Sequence, residues 1–147
     1  MNYELVDLEP ITITGIALRT DNSEAGLAKI QQHWGEFFKQ GIQQKIGAGE
    51  GVPICEAYFD YESDASGAYT LLLGSRLSAT TPTPQSAGLQ TRSFPAARYA
   101  KFHVDDPNGI RAAWQHIWSR EDLDRQYACD FEIIGAGGAD IYVSVKS

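Results

Sequence analysis

Acidic and aromatic side chains alternate with apolar ones in two similar stretches of the sequence. These are residues 55–59 and residues 129–134, and in both an acidic residue directly follows a cysteine. Successive residues of a β-strand point to opposite sides of a sheet, so Glu132 and Ile134 would share one face. Tyr58 would lie on the corresponding face of the matching strand in the first half. Tyrosine rings attract cations, and a buried carboxylate supplies the opposite charge. This pattern predicts a site for a lipophilic cation.

The apolar residues of the same stretches predict which way each acid points. Cys129, Phe131 and Ile133 form an apolar row suited to packing beneath a helix, and residues 55–59 repeat the alternation. We therefore expect the polar rows to lie on helix-free faces that meet in a cleft between two halves of the molecule. The predicted ligand-binding residues of this cleft are Glu132, Tyr58, Tyr99, Tyr142, Ile134 and, at its edge, Trp34.

Predicted helices and strands recur in the same order in the two halves of the chain. Residues 3–77 and 93–147 each predict a strand, a helix and two further strands. Trp34 and Trp114 occupy matching places on the two helices, each four residues after an isoleucine. This agreement in position favours a duplicated unit.

The order of elements predicts an α+β fold for a single domain spanning residues 1–147. Its duplicated βαββ units would form antiparallel sheets, with the helices on one side and a ligand cleft between the halves. Residues 78–91 lack apolar periodicity and are predicted to connect the halves. Helix starts are predicted near Asp21 and near Asp106, where capping residues precede an apolar stripe.

Length and charge narrow the classes of function. The chain has 147 residues and a net charge of −7, from 12 basic and 19 acidic side chains. This balance argues against direct nucleic-acid binding, which depends on clustered Lys and Arg. Neither a signal peptide nor an apolar run of the ~18 residues needed to span a membrane is visible. We expect a cytoplasmic protein without membrane contact.

Metal and cofactor signals are absent from the sequence pattern. His33, His103 and His116 fall on different predicted elements without metal-ligand spacing. The two cysteines, Cys55 and Cys129, are predicted to be buried thiols. We expect neither a metal nor a cofactor.

Three stretches carry a family resemblance. They are residues 30–37 (Ile-Gln-Gln-His-Trp-Gly-Glu-Phe), residues 97–102 (Ala-Arg-Tyr-Ala-Lys-Phe) and residues 129–133 (Cys-Asp-Phe-Glu-Ile). Together with the duplicated βαββ order, they resemble the GyrI-like family, the effector-binding domains of AraC-type and MerR-type multidrug regulators. The resemblance extends over nearly the whole chain.

The resemblance implies a role for several residues. The glutamate of the family's Asp-Phe-Glu strand meets the positive charge of the ligand in cation-binding members, and Glu132 takes that place here. Tyr58, Tyr99 and Tyr142 would form the pocket walls, and Ile134 stands where the family often has tyrosine. The chain would be a stand-alone domain for cationic amphipathic or aromatic compounds. A regulatory role would need a separate DNA-binding partner.

Two other classes of function remain open at this point. Some GyrI-like proteins resemble hydrolases of strained electrophilic natural products, and in such a reaction Glu132 would act as the general base. The family name also suggests a module that contacts a protein partner such as a topoisomerase. One carboxylate among tyrosines suits binding and catalysis equally, so the sequence leaves open whether the protein is an enzyme.

Overall fold

The computed structural model describes residues 1–47, 52–77 and 88–146, and it has the α+β fold that the sequence predicts. The helices are α1 (Glu24–Lys39), α2 (Ile42–Ile46) and α3 (Ile110–Ser119). The strands are β1 (Glu4–Leu8), β2 (Ile11–Thr20), β3 (Ile54–Phe59), β4 (Tyr69–Leu77), β5 (Gln90–Phe94), β6 (Ala97–Val104), β7 (Cys129–Gly135) and β8 (Gly138–Ser144). Of the predicted connector 78–91, residues 78–87 lie outside the described residues.

The eight strands form one antiparallel sheet in the order β1-β6-β8-β7-β3-β4-β2-β5. The second half of the chain supplies β6, β8 and β7, and the first half supplies β3, β4 and β2 in mirrored order. The halves join where β3 pairs with β7, and Glu56 stands directly opposite Glu132 in that register. The mirrored order agrees with the predicted duplication, whose boundaries stay a prediction.

Two short links bring the edges of the sheet together. Edge strand β1 leads after two residues into β2, and β5 at the other edge leads after two residues into β6. Three residue steps span at most about 11 Å, so the sheet must curl until its edges approach each other. The curl encloses the face that carries no helix, which we call the enclosed face.

The enclosed face is filled by residues that the sequence pattern assigned to the helix side. Cys55, Ala57, Cys129 and Phe131 are all buried there in one apolar cluster, together with Tyr99. The predicted orientation of β3 and β7 was therefore wrong. The curled sheet makes the enclosed face a core, so it takes the small and apolar side chains, while the acids point toward the helices.

Each helix covers the strands of its own half on the opposite side. Phe37 of α1 packs with Leu71 and Leu73 of β4, whereas Ile117 of α3 packs with Phe102 of β6. The seam between β3 and β7 is left between the two helices. The fold thus opens a cleft at the junction of the halves, where it was predicted, but the cleft lies on the side of the helices and the prediction of helix-free walls was wrong.

Capping residues fix where the helices begin. The Ser23 hydroxyl accepts a hydrogen bond from the Gly26 amide at 3.0 Å and caps α1, while Asp21 accepts from the Ser23 amide. Asp106 accepts from the Asn108 amide at 2.9 Å and caps a 3₁₀ turn that leads into α3. Both starts lie near the predicted positions, and side-chain acceptors at these places satisfy otherwise unpaired amides.

Within the described parts of the chain, no helix is long and apolar enough to cross a membrane. The cytoplasmic location stays a prediction.

Candidate ligand-binding cleft

A cavity of about 320 Å³ lies between α1 and α3, above the seam of β3 and β7. We call it the helix cleft. Its walls carry Leu27, Ile30 and Trp34 from α1 and Ile110, Trp114 and Trp118 from α3, and its floor carries Glu56, Tyr58, Glu132 and Ile134. All three tryptophans of the protein therefore line this cavity. Apolar walls around a few polar groups are typical of small-molecule sites.

Two buried glutamates face each other on the floor of the helix cleft. Glu56 is 4% exposed and Glu132 is 1% exposed, and they are opposite partners in the β3–β7 register. Side chains of directly opposed residues in an antiparallel pair are neighbours, and like charges there repel each other. The floor therefore places two acidic side chains next to each other with almost no exposed surface.

Neutral donors bind both carboxyl groups. The Tyr58 oxygen lies 2.5 Å from Glu56 Oε1 and 2.7 Å from Glu132 Oε2. The indole N–H of Trp114 donates to Glu132 Oε2 at 2.5 Å. Among the described residues, no lysine or arginine forms an ion pair with either glutamate. The pair therefore lacks a positive counter-charge.

Burial changes the acidity of the pair. Desolvation raises the pKa of Glu56 to about 7, against the opposing effects of Tyr58 and Trp34. Desolvation and the nearby charge of Glu56 raise the pKa of Glu132 to about 8, against the opposing effects of Tyr58 and Trp114. Because the two groups interact strongly, these pKa values belong to the pair. A cation placed beside the pair would favour its ionised form.

Aromatic rings continue from the floor to the walls. The Tyr58 ring meets Trp114 edge to face at a centroid distance of 5.5 Å and Tyr69 at 5.6 Å. Trp118, 40% exposed, lies 6.5 Å from Trp114 and extends the aromatic surface toward solvent. Ring faces next to a carboxylate suit a flat or bulky organic cation.

A third acid near the helix cleft already has its cation. Asp130 is fully buried and accepts from Arg125 Nη2 at 2.7 Å, from the Tyr61 hydroxyl at 2.5 Å and from the Ser144 amide at 2.7 Å. The Arg125 guanidinium also faces the Tyr127 ring at 4.3 Å. This ion pair forms part of the cleft wall and leaves no unmatched charge on Asp130.

Four of the predicted site residues come together in the helix cleft. Glu132, Tyr58, Trp34 and Ile134 all line it. Whether they bind a ligand stays a prediction, but the structure places them in one cavity.

The expectation that Tyr99 and Tyr142 share a face with Glu132 was wrong. Tyr99 is 2% exposed and packs edge to face on Phe131 in the enclosed face, at 5.3 Å. Tyr142 stacks on Phe131 at 4.6 Å. Both alternate with residues that pack under α3, so they necessarily point to the other side of the sheet.

Sequence reasoning missed Glu56 as the partner of Glu132. Alternation along residues 55–59 places Glu56 on the same face as Tyr58, but the spacing gives no indication that β3 pairs with β7 in this register. Trp114 was noted only for its match with Trp34, and Trp118, Tyr69 and Arg125 were not singled out. The sole available signal was the matching of the two halves, which places β3 and β7 in equivalent positions.

A second cavity, of about 550 Å³, opens beside the enclosed face and reaches Tyr99. Apart from the exposed Glu9, its charged residues are paired with each other. Arg92 contacts Asp60 at 3.1 Å and Arg98 contacts Asp7 at 2.9 Å. Among its described lining residues, this cavity therefore lacks the buried unmatched acids that distinguish the helix cleft.

No group of three or more His, Cys, Asp or Glu side chains with metal-binding geometry occurs among residues 1–47, 52–77 and 88–146. His103, which contacts Asp140 and Asp105, lies at the surface away from the helix cleft.

The chain matches a family model over residues 1–139, described as the GyrI-like small molecule binding domain. The protein therefore belongs to the GyrI-like family of small molecule binding domains. This confirms the resemblance seen in the sequence. A comparison with curated protein sequences gave no significant match.

Several solved structures share the fold. An integron cassette protein from the mobile metagenome of Vibrio cholerae is 19% identical, with a TM-score of 0.78 and coverage of 99% of this chain and 97% of that chain. The protein SAV2435, solved bound to tetraphenylphosphonium, is 16% identical, with a TM-score of 0.75 and coverage of 100% and 95%. EcmrR, solved in a complex with DNA, is 11% identical, with a TM-score of 0.51 and coverage of 99% and 58%.

Proposed function

We propose that the helix cleft binds lipophilic aromatic cations. The observation that carries the proposal is the pair Glu56 and Glu132, buried face to face with neutral hydrogen-bond donors and without a cation of their own. Burying a carboxylate without a counter-charge is costly, so a positive ligand supplies the partner that the fold omits.

The shape and lining of the cleft support the same ligand class. Its volume of about 320 Å³ suits a small organic molecule, and tryptophan and tyrosine rings surround the acids. An inorganic cation would gain little from these rings, whereas an aromatic cation would contact them and the carboxylates together. The likeness to SAV2435, solved with tetraphenylphosphonium, adds support.

Intrinsic fluorescence tests the proposal directly, since all three tryptophans line the cleft. Titration with tetraphenylphosphonium is expected to give saturable quenching. Tetraphenylborate has nearly the same shape and the opposite charge, so it serves as the matched ligand control. Equal affinity for both ions, or no saturable change with tetraphenylphosphonium, contradicts the proposal.

A second candidate function follows from the acidity of the same pair. A buried carboxyl whose pKa lies near 7 is suited to transfer protons at neutral pH, and the Tyr58 hydroxyl lies beside it to position an electrophile. The cleft would then hydrolyse strained electrophilic compounds, with Glu132 or Glu56 activating water. Turnover of an aromatic epoxide, lost in E56Q and E132Q, would support hydrolysis; binding of the epoxide without turnover would not.

In a regulatory role, ligand binding would change how this protein interacts with a separate DNA-binding partner. This proposal draws on the family and on the likeness to EcmrR, which was solved on DNA. Capture of a partner from a cell lysate that changes when tetraphenylphosphonium is added would support it. Capture that is unaffected by the cation would instead favour a protein-interaction function of another surface.

A further inference from the structure

The Tyr58 hydroxyl makes two short contacts but carries one hydrogen. Its oxygen lies 2.5 Å from Glu56 Oε1 and 2.7 Å from Glu132 Oε2, and both are hydrogen-bond distances. A phenol donates a single hydrogen bond, and an ionised carboxylate can only accept. The hydroxyl can therefore satisfy one carboxylate, and the other contact needs a proton on a carboxyl group.

Among the described residues, the indole N–H groups of Trp34 and Trp114 act on the carboxyl groups themselves and do not supply that proton. Trp114 donates its indole N–H to Glu132 Oε2, which uses the one hydrogen that the ring offers. Both glutamates are more than nine-tenths buried, so water is largely excluded from them. The geometry of the empty cleft thus requires at least one proton on the pair.

We propose that the empty helix cleft holds a proton shared by Glu56, Tyr58 and Glu132, and that binding of a permanent cation releases it to solvent. The inference rests on the proposed function, since it concerns how the same site accepts its ligand. The cation occupies the neighbourhood of the pair and favours the ionised form of both carboxyls. The carboxyl O–H bond then breaks, and the proton leaves as the cation enters.

The other ionisable groups around Glu56 and Glu132 are not the source of the proton that is released when the cation binds. The ionisable or charged side chains lining the cleft besides the pair are Tyr58 on β3, Tyr69 on β4, Arg111 on α3 and, in the adjoining loops, Tyr61 and Arg125. Arg125 is paired with the buried Asp130 of β7. Burial raises the pKa values of Tyr58 and Tyr61 well above the ordinary value for tyrosine, and it also raises the pKa of Tyr69. No histidine is among the described residues that line the cleft.

The proton defines the class of ligand more closely. A permanent cation must expel a proton, whereas an uncharged aromatic amine can take that proton from the pair. In the second case an N–H bond forms as the carboxyl O–H bond breaks, and no proton goes to solvent. The cleft would therefore accept both quaternary cations and weakly basic amines, and only the quaternary cations would release protons to solvent.

Calorimetry of tetraphenylphosphonium binding in two buffers of different ionisation enthalpy counts the released protons. At pH 6.5 we expect one to two protons released per bound cation, and a dissociation constant that falls by about tenfold per pH unit for each proton released. Saturable binding with no proton release overturns this inference and leaves the proposed function intact. Absence of saturable binding overturns both.

Two further measurements locate the proton. In E56Q one carboxyl and its repulsion are removed, so proton release at pH 6.5 is expected to be smaller than in wild type; release equal to wild type places the proton elsewhere and contradicts the inference. Acridine, titrated where its free base predominates, is expected to show the fluorescence of its protonated form when bound. A bound acridine with the spectrum of the free base would equally contradict it.

Discussion

Asp130 and Glu132 are two acids of the same strand, two residues apart and both buried, yet their surroundings differ in kind. Asp130 accepts from Arg125, from the Tyr61 hydroxyl and from the Ser144 amide. Glu132 instead faces a second acid, Glu56, across the strand pair, and its donors among the described residues are neutral. The chain thus neutralises one buried charge internally and leaves the other unmatched.

The difference separates a structural acid from a candidate binding acid. In a buried ion pair whose partners are also hydrogen-bonded, each charge is balanced, and removing one partner leaves the other charge buried with its full desolvation penalty. Two buried acids without a cation have no such balance, and they lower the desolvation penalty by holding protons or by binding a positive ligand. Variants that remove each counterpart should therefore act on different properties, one on stability and one on binding.

The largest expected effect is on folding stability and comes from Arg125. Replacing it in R125M leaves Asp130 buried without its cation, and we expect the free energy of unfolding to fall by about 3–5 kcal/mol. Denaturant titration followed by circular dichroism measures this. The control is R98M, which removes the solvent-exposed partner of Asp7 and should change stability far less. Equal losses in the two variants would show that Arg125 has no special role.

The second prediction concerns ligand affinity. In E132Q the cleft keeps its shape but loses one negative charge, so the dissociation constant for tetraphenylphosphonium should rise by at least about tenfold. Because the change also removes repulsion between two buried acids, the melting temperature should stay the same or increase. Unchanged affinity, or a destabilised protein, would mean that Glu132 resembles Asp130 more than the contacts indicate.

The pH dependence of stability sharpens the comparison further. Burial raises the pKa of both Glu56 and Glu132 above the ordinary value of 4.5, so the folded state binds more protons than the unfolded state from about pH 5 to pH 8. Stability contributed by the pair is therefore present below this window and is lost as pH rises through it. Each proton of difference corresponds to about 1.4 kcal/mol per pH unit.

The double variant E56Q/E132Q isolates this effect. Hydrogen bonding to Asp140 raises the pKa of His103, which also makes stability fall with rising pH, but it does so equally in both proteins. Denaturant titrations at several pH values should give a steeper decline for wild type than for the double variant. Parallel curves would indicate that the pair does not hold protons in the folded state.

The smallest expected effect comes from the enclosed face. The Tyr142 ring stacks on Phe131 on the side of the sheet away from the helix cleft. Y142F should therefore change the affinity for tetraphenylphosphonium by less than about twofold, a difference worth less than RT ln 2 or roughly 0.4 kcal/mol. The same fluorescence titration measures it, and a tenfold loss would place the site on the face that the sequence pattern favoured.

Local sequence signals predicted much of the fold. The spacing of Trp34 and Trp114 on two amphipathic helices, and the alternation around Cys55 and Cys129, indicated the elements and their repetition. Glu132 was identified in the same way, through its place in an acidic and apolar alternation. These features depend on neighbours in the chain, which is why one sequence suffices to find them.

The orientation of β3 and β7 could not be predicted because both faces of these strands are largely buried. Cys129 and Phe131 are as suitable under a helix as they are inside a curled sheet, and alternation alone does not distinguish the two. What decides is the pair of two-residue links that draw the sheet edges together, a long-range property. The opposition of Glu56 to Glu132 depends on the register of β3 and β7, which is likewise non-local.

A crystal structure of the protein with tetraphenylphosphonium would show most directly whether the helix cleft is the binding site. We expect the cation in the helix cleft, with Glu56 and Glu132 as its nearest charged groups and tryptophan rings against its phenyl groups. A cation bound in the cavity beside Tyr99, or on the protein surface without contact to either glutamate, would show that the helix cleft is not the site.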